Sequence, residues 1–111
     1  GREAALRLLT GSPRPQAVIC SSNLLAYAFA LAAGELDVDL PGEVQFITFD
    51  RYPYSSLITP EPTLVQIDVR DMGRAAAKQL LHALKKPELR VQTYTTLPSL
   101  IAGKSTIKRQ T

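Results

Sequence analysis

Asp50 is the polar side chain best placed to meet a ligand. Val44, Phe46, Ile47 and Phe49 form an apolar run that reads as a buried strand, and Asp50 stands where that strand ends. In an open α/β sheet, ligands gather outside the carboxyl ends of the strands. A carboxylate held there accepts hydrogen bonds from ligand hydroxyls or amides. The plainer role, a cap for the loop at residues 51–54, fits an aspartate equally well. Ser22 lies just past an earlier apolar run, at the same sheet edge if the two strands are parallel. Asn23, Arg51, Tyr52 and Tyr54 complete the candidate set. Hydroxyl, amide, carboxylate and ring together suit a small polyhydroxylated ligand, with polar groups fixing orientation and a ring forming an apolar wall. For the two tyrosines, packing at an interface is the competing role.

Covalent or acid–base chemistry finds no such constellation. The single histidine, His82, has no second histidine or cysteine near it in sequence to share a metal. Cys20 is embedded in apolar residues and reads as a small buried hydrophobe. Asp37 and Asp39 follow a helical pattern and read as solubilising loop charges. Phosphate-binding loops, nucleophile elbows, zinc spacings and dinucleotide fingerprints are all missing from the sequence. No catalytic residue, metal or cofactor is expected.

The elements that must carry Asp50 alternate along the chain. Residues 3–9 place Ala5, Leu8 and Leu9 on one helical face, and Thr10-Gly11-Ser12-Pro13 ends it. Residues 16–20 read as a first strand, with Ser21 and Ser22 as N-caps for the next helix. From residue 24 to 33 every side chain is apolar. That run is shorter than the roughly 20 residues of a membrane span, so the helix must be buried on more than one side. One side can cover the sheet; the other needs a second helix or a second subunit. Strand, helix and strand over 16–49 form a βαβ unit, expected to be parallel. Residues 63–67 resume an extended pattern. Asp68 is placed to cap a long helix with Val69, Met72, Ala76, Leu80 and Ala83 on one stripe, ending at Lys85, Lys86 and Pro87. Residues 91–97 and 100–102 are expected to be short β segments. The fold class is α/β: an open, mainly parallel sheet with helices on both faces.

The chain has 111 residues, 45% of them hydrophobic and 21% charged, with a net charge of +3. That length holds one domain or one lobe of a larger one. Lys104, Lys108 and Arg109 gather part of the positive charge near the carboxyl end, which reads as a solvated tail and not a nucleic-acid groove. One cysteine excludes an internal disulfide framework and is compatible with a reducing compartment. The sequence enters a helical pattern at once, without a signal peptide or a helix cap. These residues are therefore expected to be the later part of a longer chain.

Four segments carry a family resemblance. PQAVICSSNLLA (15–26) resembles a segment that in the lactose-repressor (LacI/GalR-type) family of transcriptional regulators reads roughly P-x-A-I-hydrophobic-x-x-N-D-x-x-A. LPGEVQFITFD (40–50), TPEPTLVQIDVRDMG (59–73) and LPSLIAGKS (97–105) are similar to three segments that follow it in that family. Their order and spacing cover nearly the whole chain. The resemblance implies the carboxyl-terminal lobe of a periplasmic-binding-protein-like type I domain. It further implies an amino-terminal helix-turn-helix and a first lobe that this chain does not contain. It implies a cytoplasmic repressor with no membrane attachment that is a homodimer or higher oligomer and binds operator DNA through the missing head. The effector, a sugar or sugar phosphate, binds between the lobes.

By the same resemblance the effector-binding aspartate falls on Asp50, with Ser22 in place of the family's asparagine; Asn23, Arg51 and Tyr52 are the neighbouring effector candidates. Leu24, Leu25, Tyr27, Ala28, Leu31, Leu57 and Ile58 fall where this family's lobes pair, which gives the all-apolar helix its second partner. The departures are Ser22-Asn23 for Asn-Asp, Thr48 for glycine, Arg51 for a second aspartate, and Gly103 for an arginine. Arg51 either favours an anionic effector, since guanidinium matches phosphate oxygens, or pairs with Asp50 or solvent. A periplasmic solute-binding protein of the same fold is the second reading, and an α/β enzyme whose catalytic half lies elsewhere is the third.

Overall fold

In the computed structural model, residues 1–51, 53–88 and 92–108 are described. The chain divides into two compact units, Gly1–Gln66 with Ser99–Thr111, and Ile67–Pro98.

The first unit is built on a four-stranded sheet: β1 (Ala17–Cys20), β2 (Gln45–Phe49), β3 (Thr63–Gln66) and β4 (Ser99–Ile101), in that spatial order. β1, β2 and β3 run parallel, and β4 joins antiparallel to β3. The sheet is therefore open and mainly parallel, as expected. Its register pairs Val18 with Phe46, Cys20 with Thr48, and Thr48 with Leu64, so these side chains share one face. Helix α2 (Asn23–Glu35) lies against that face. Ala26, Ala32 and Ala33 are fully buried, and their small side chains let the helix sit close to the strands. The Phe29 ring meets Phe46 edge to face with centroids 5.6 Å apart. Helix α1 (Arg2–Thr10) packs on α2 through Ala5 and Leu9. Its first turn has no side-chain cap, as the sequence anticipated.

The segment after β4 is fastened beside the amino ends of β2 and β3. Ser105 is fully buried; its Oγ donates to the Phe46 carbonyl and accepts from the Thr63 N–H at 2.8 Å. The Phe46 N–H in turn donates to the Ser105 carbonyl at 3.1 Å. Gly103 donates its N–H to Thr63 Oγ1 at 3.0 Å, and a Cβ there would collide with the carbonyls of Glu61 and Pro62. An arginine at this position would therefore require the two backbones to move apart.

The second unit contains helix α3 (Val69–Lys85). Asp68 caps it as expected, its Oδ1 accepting from the Asp71 N–H at 2.9 Å. At the other end the Lys86 N–H donates to the His82 carbonyl at 2.9 Å. The apolar stripe is present, yet none of the residues of α3 is buried. The expected strand at 91–97 does not form over residues 92–97, and Val91 lies outside the described residues. An alternating pattern becomes a strand only when another strand takes up its backbone groups, and these residues have no ladder partner among those described. Tyr94 instead crosses to α3, where its hydroxyl donates to Asp71 Oδ2 at 2.8 Å. That hydrogen bond to a carboxylate holds the phenol pKa above its ordinary value. No helix among the described residues is long and apolar enough to cross a membrane.

Candidate functional site

Two parallel strands joined by a helix bring the end of β2 and the start of α2 to one sheet edge. The turn from β1 into α2 is only two residues long, so Ser22 and Asn23 arrive directly beside the carboxyl end of β1. Ser22 is the N-cap of α2: its Oγ accepts from the Leu25 N–H at 3.3 Å, and its carbonyl accepts from the Ala26 N–H at 3.0 Å. Its hydroxyl is thus engaged in the helix start.

Asn23, the first residue of α2, is only 4% exposed. Its Nδ2 donates to the backbone carbonyl of Asp50, and its Oδ1 accepts from Ser55 Oγ at 3.4 Å. Asp50 is half-buried and has φ 63°, in the left-handed region, which an aspartate tolerates better than most residues. Its N–H donates to the Val65 carbonyl of β3 at 2.9 Å. The aspartate is therefore anchored on both flanks, by β3 through its amide and by α2 through its carbonyl.

Arg51 is exposed and lines a hollow of about 420 Å³ with Ser55, Ser56 and Glu61 over a floor that includes Ile58 and Leu64. Asp50 does not line that hollow. Tyr52 and the side chain of Tyr54 lie outside the described residues; Tyr54 falls in the short 3-10 helix Pro53–Leu57. Of the residues assigned to a subunit interface, Leu24, Leu25 and Leu31 on α2 and Leu57 on the 3-10 helix are exposed. Tyr27 and Ala28 are half-buried, whereas Ile58 is 3% exposed and belongs to the chain's own core.

Sequence reasoning named Asn23 as a ligand contact and did not single out Ser55. A polar residue directly after a serine cap, facing the sheet from the first turn of an otherwise apolar helix, was the available signal for an internal role. Elsewhere Cys20 is buried, and desolvation pushes its thiol up to about 11, which suits a core residue and not a thiolate nucleophile. His82 is exposed. Thr48 is fully buried with its Oγ1 unpaired among the described residues.

Comparison with known proteins places these elements among relatives. The family described as a periplasmic binding protein-like domain matches residues 1–106. A probable opine utilization operon repressor from Rhizobium rhizogenes is 30% identical over 103 residues, which are 92% of this chain and 52% of that protein. The ribose operon repressor of Bacillus subtilis is 30% identical over 106 residues, 96% of this chain and 32% of that protein. The chain thus spans about half of the first relative and about a third of the second. Among solved structures, a LacI family transcriptional regulator from Bifidobacterium animalis superposes with a TM-score of 0.84 at 28% identity, covering 95% of this chain and 38% of that one. Another from Arthrobacter, in complex with lactose, gives 0.83 at 25% identity, covering 96% and 40%.

Proposed function

The chain belongs to the periplasmic-binding-protein-like domain family in the form found in lactose-repressor-type regulators, and from that premise we propose that it is the effector-sensing part of a ligand-responsive transcriptional repressor. The observation that carries this reading is Asp50, half-buried at the carboxyl end of β2 and anchored through both of its flanking peptide groups. A carboxylate carried at that edge on an anchored backbone meets neighbouring ligand hydroxyls with its main chain already ordered, which lowers the entropy cost of binding. The ligand class is a sugar or sugar derivative. Support comes from the carboxylate itself, from the relative named for ribose and from the relative solved with lactose.

Regulation requires that the effector bind two conformations of the protein unequally; equal affinity would shift nothing. The exposed leucines Leu24, Leu25, Leu31 and Leu57 support a homodimer through α2 and the 3-10 helix, with operator DNA bound by a separate domain of the complete protein.

The test uses the protein encoded by the complete reading frame. A thermal-shift screen with monosaccharides, disaccharides and sugar phosphates is expected to find a ligand that raises Tm, equivalent to about 2.7 kcal/mol at a hundredfold excess over Kd. Asp50→Ala should abolish that shift, and the same ligand should alter affinity for DNA fragments selected from the genome. A ligand that binds to a protein with no affinity for DNA would transfer the fold to solute transport. Light scattering that gives a monomer mass at micromolar concentration would remove the dimer.

A further inference from the structure

We infer that Asn23 is a positioning residue of this site and does not itself touch the ligand: its buried amide holds Asp50 in place and ties it to the 3-10 helix. This rests on the reading of Asp50 as the ligand-facing carboxylate, and it reassigns the residue beside it.

Both ends of the Asn23 amide are used inside the chain. Nδ2 donates to the Asp50 carbonyl and Oδ1 accepts from Ser55 Oγ. The Asp50 carbonyl sets which way the amide faces, since it can only accept and so takes the Nδ2 end, leaving Oδ1 for the Ser55 hydroxyl. The residue is 4% exposed, so a ligand at the sheet edge would have to displace one of these bonds to reach it.

The anchor matters because of the conformation it secures. A residue with a Cβ is disfavoured at φ 63°, and such a conformation persists only when its surroundings over-determine it. Here the Asp50 N–H is fixed by Val65 and its carbonyl by Asn23. With the N–H and the carbonyl both anchored, the backbone fixes the Cα–Cβ bond from which the carboxylate extends. Releasing the carbonyl frees the peptide between Asp50 and Arg51 to rotate and removes one of the restraints that hold Asp50 at this φ. The bond from Ser55 carries the same restraint into the 3-10 helix, so α2 holds two loop positions through one side chain.

The test compares the wild-type chain with Asn23→Asp, Ser55→Ala and Asp50→Ala. Asn23→Asp keeps the shape of the side chain and replaces the donor with an oxygen that repels the Asp50 carbonyl. Backbone hydrogen exchange is measured by NMR without ligand, and D-ribose and lactose binding by calorimetry. Asn23→Asp should accelerate exchange over residues 50–55 by about tenfold, the order of one lost hydrogen bond, while β1 and β2 keep their protection. Ser55→Ala should do the same more weakly. Both should weaken whichever sugar the wild type binds, in the same order. Unchanged exchange at 50–55 in Asn23→Asp overturns the positioning role, whether or not a sugar binds. Exchange that rises equally throughout β1 and β2 also overturns it, because Asn23 would then be supporting only the fold. Undiminished sugar binding by Asp50→Ala sinks the reading of Asp50 as ligand carboxylate, and with it the ligand part of this inference. The exchange data would then still judge the hold on the loop.

Discussion

Helices α2 and α3 are both rich in apolar residues, yet α2 buries Ala26, Phe29, Ala32 and Ala33 while α3 buries no residue. The first has β1 and β2 to lie on, and its position is decided by side chains that interdigitate with Phe46 and its neighbours. The order of the second is written in its own ends: Asp68 caps the first turn, Lys85 and His82 sit in the last, and Tyr94 fastens the following segment to Asp71. Capping and end charges contribute about a kcal/mol apiece or less, whereas a buried core side chain contributes several. The two units should therefore differ sharply in what a substitution does to them.

The largest effect is expected from Phe46→Ala, which empties the centre of the first unit. It should lower unfolding free energy by about 3–5 kcal/mol in urea titrations followed by circular dichroism. A loss below about 1 kcal/mol would mean that α2 is not held by this contact and would erase the contrast. Ser105→Ala comes next. It strips the buried Thr63 N–H of its acceptor and the Phe46 carbonyl of a donor, at about 1–3 kcal/mol, read from the shift in urea midpoint.

Thr48→Val should act in the opposite direction. The buried hydroxyl has no partner among the described residues, so replacing it with a methyl removes a desolvation cost of about 1 kcal/mol, visible as a higher Tm. Smallest of all should be Leu80→Ala on α3. At 62% exposure the side chain has little to lose, and the change in global stability should stay within about 0.5 kcal/mol. A much larger loss would show that the second unit has a core of its own.

Local signals were read correctly in the sequence wherever local physics is sufficient. The Ser22 and Asp68 caps, the stop at Lys85 ahead of Pro87, and the strands centred on Val18, Phe46 and Leu64 all lie within a residue or two of their expected places. Segment 92–97 failed because its alternation describes a strand only in the presence of a partner strand. Ile58 was assigned outward and lies inward because it follows directly on a five-residue 3-10 helix, Pro53–Leu57, which offers no periodicity long enough to orient it.

At the site, the sequence alone determined that a carboxylate would end the central strand and that a serine would begin the helix beside it. Both follow from residue type and hydrophobic period, which act over a few neighbours. Only the tertiary structure decided that Asn23 would face inward beneath Asp50, that Arg51 would line a separate hollow, and that Ser105 would reach back to Phe46. The first and last of these join residues 27 and 59 positions apart, and buried hydrogen-bonding groups choose such partners by proximity after the chain has closed, which no local pattern encodes.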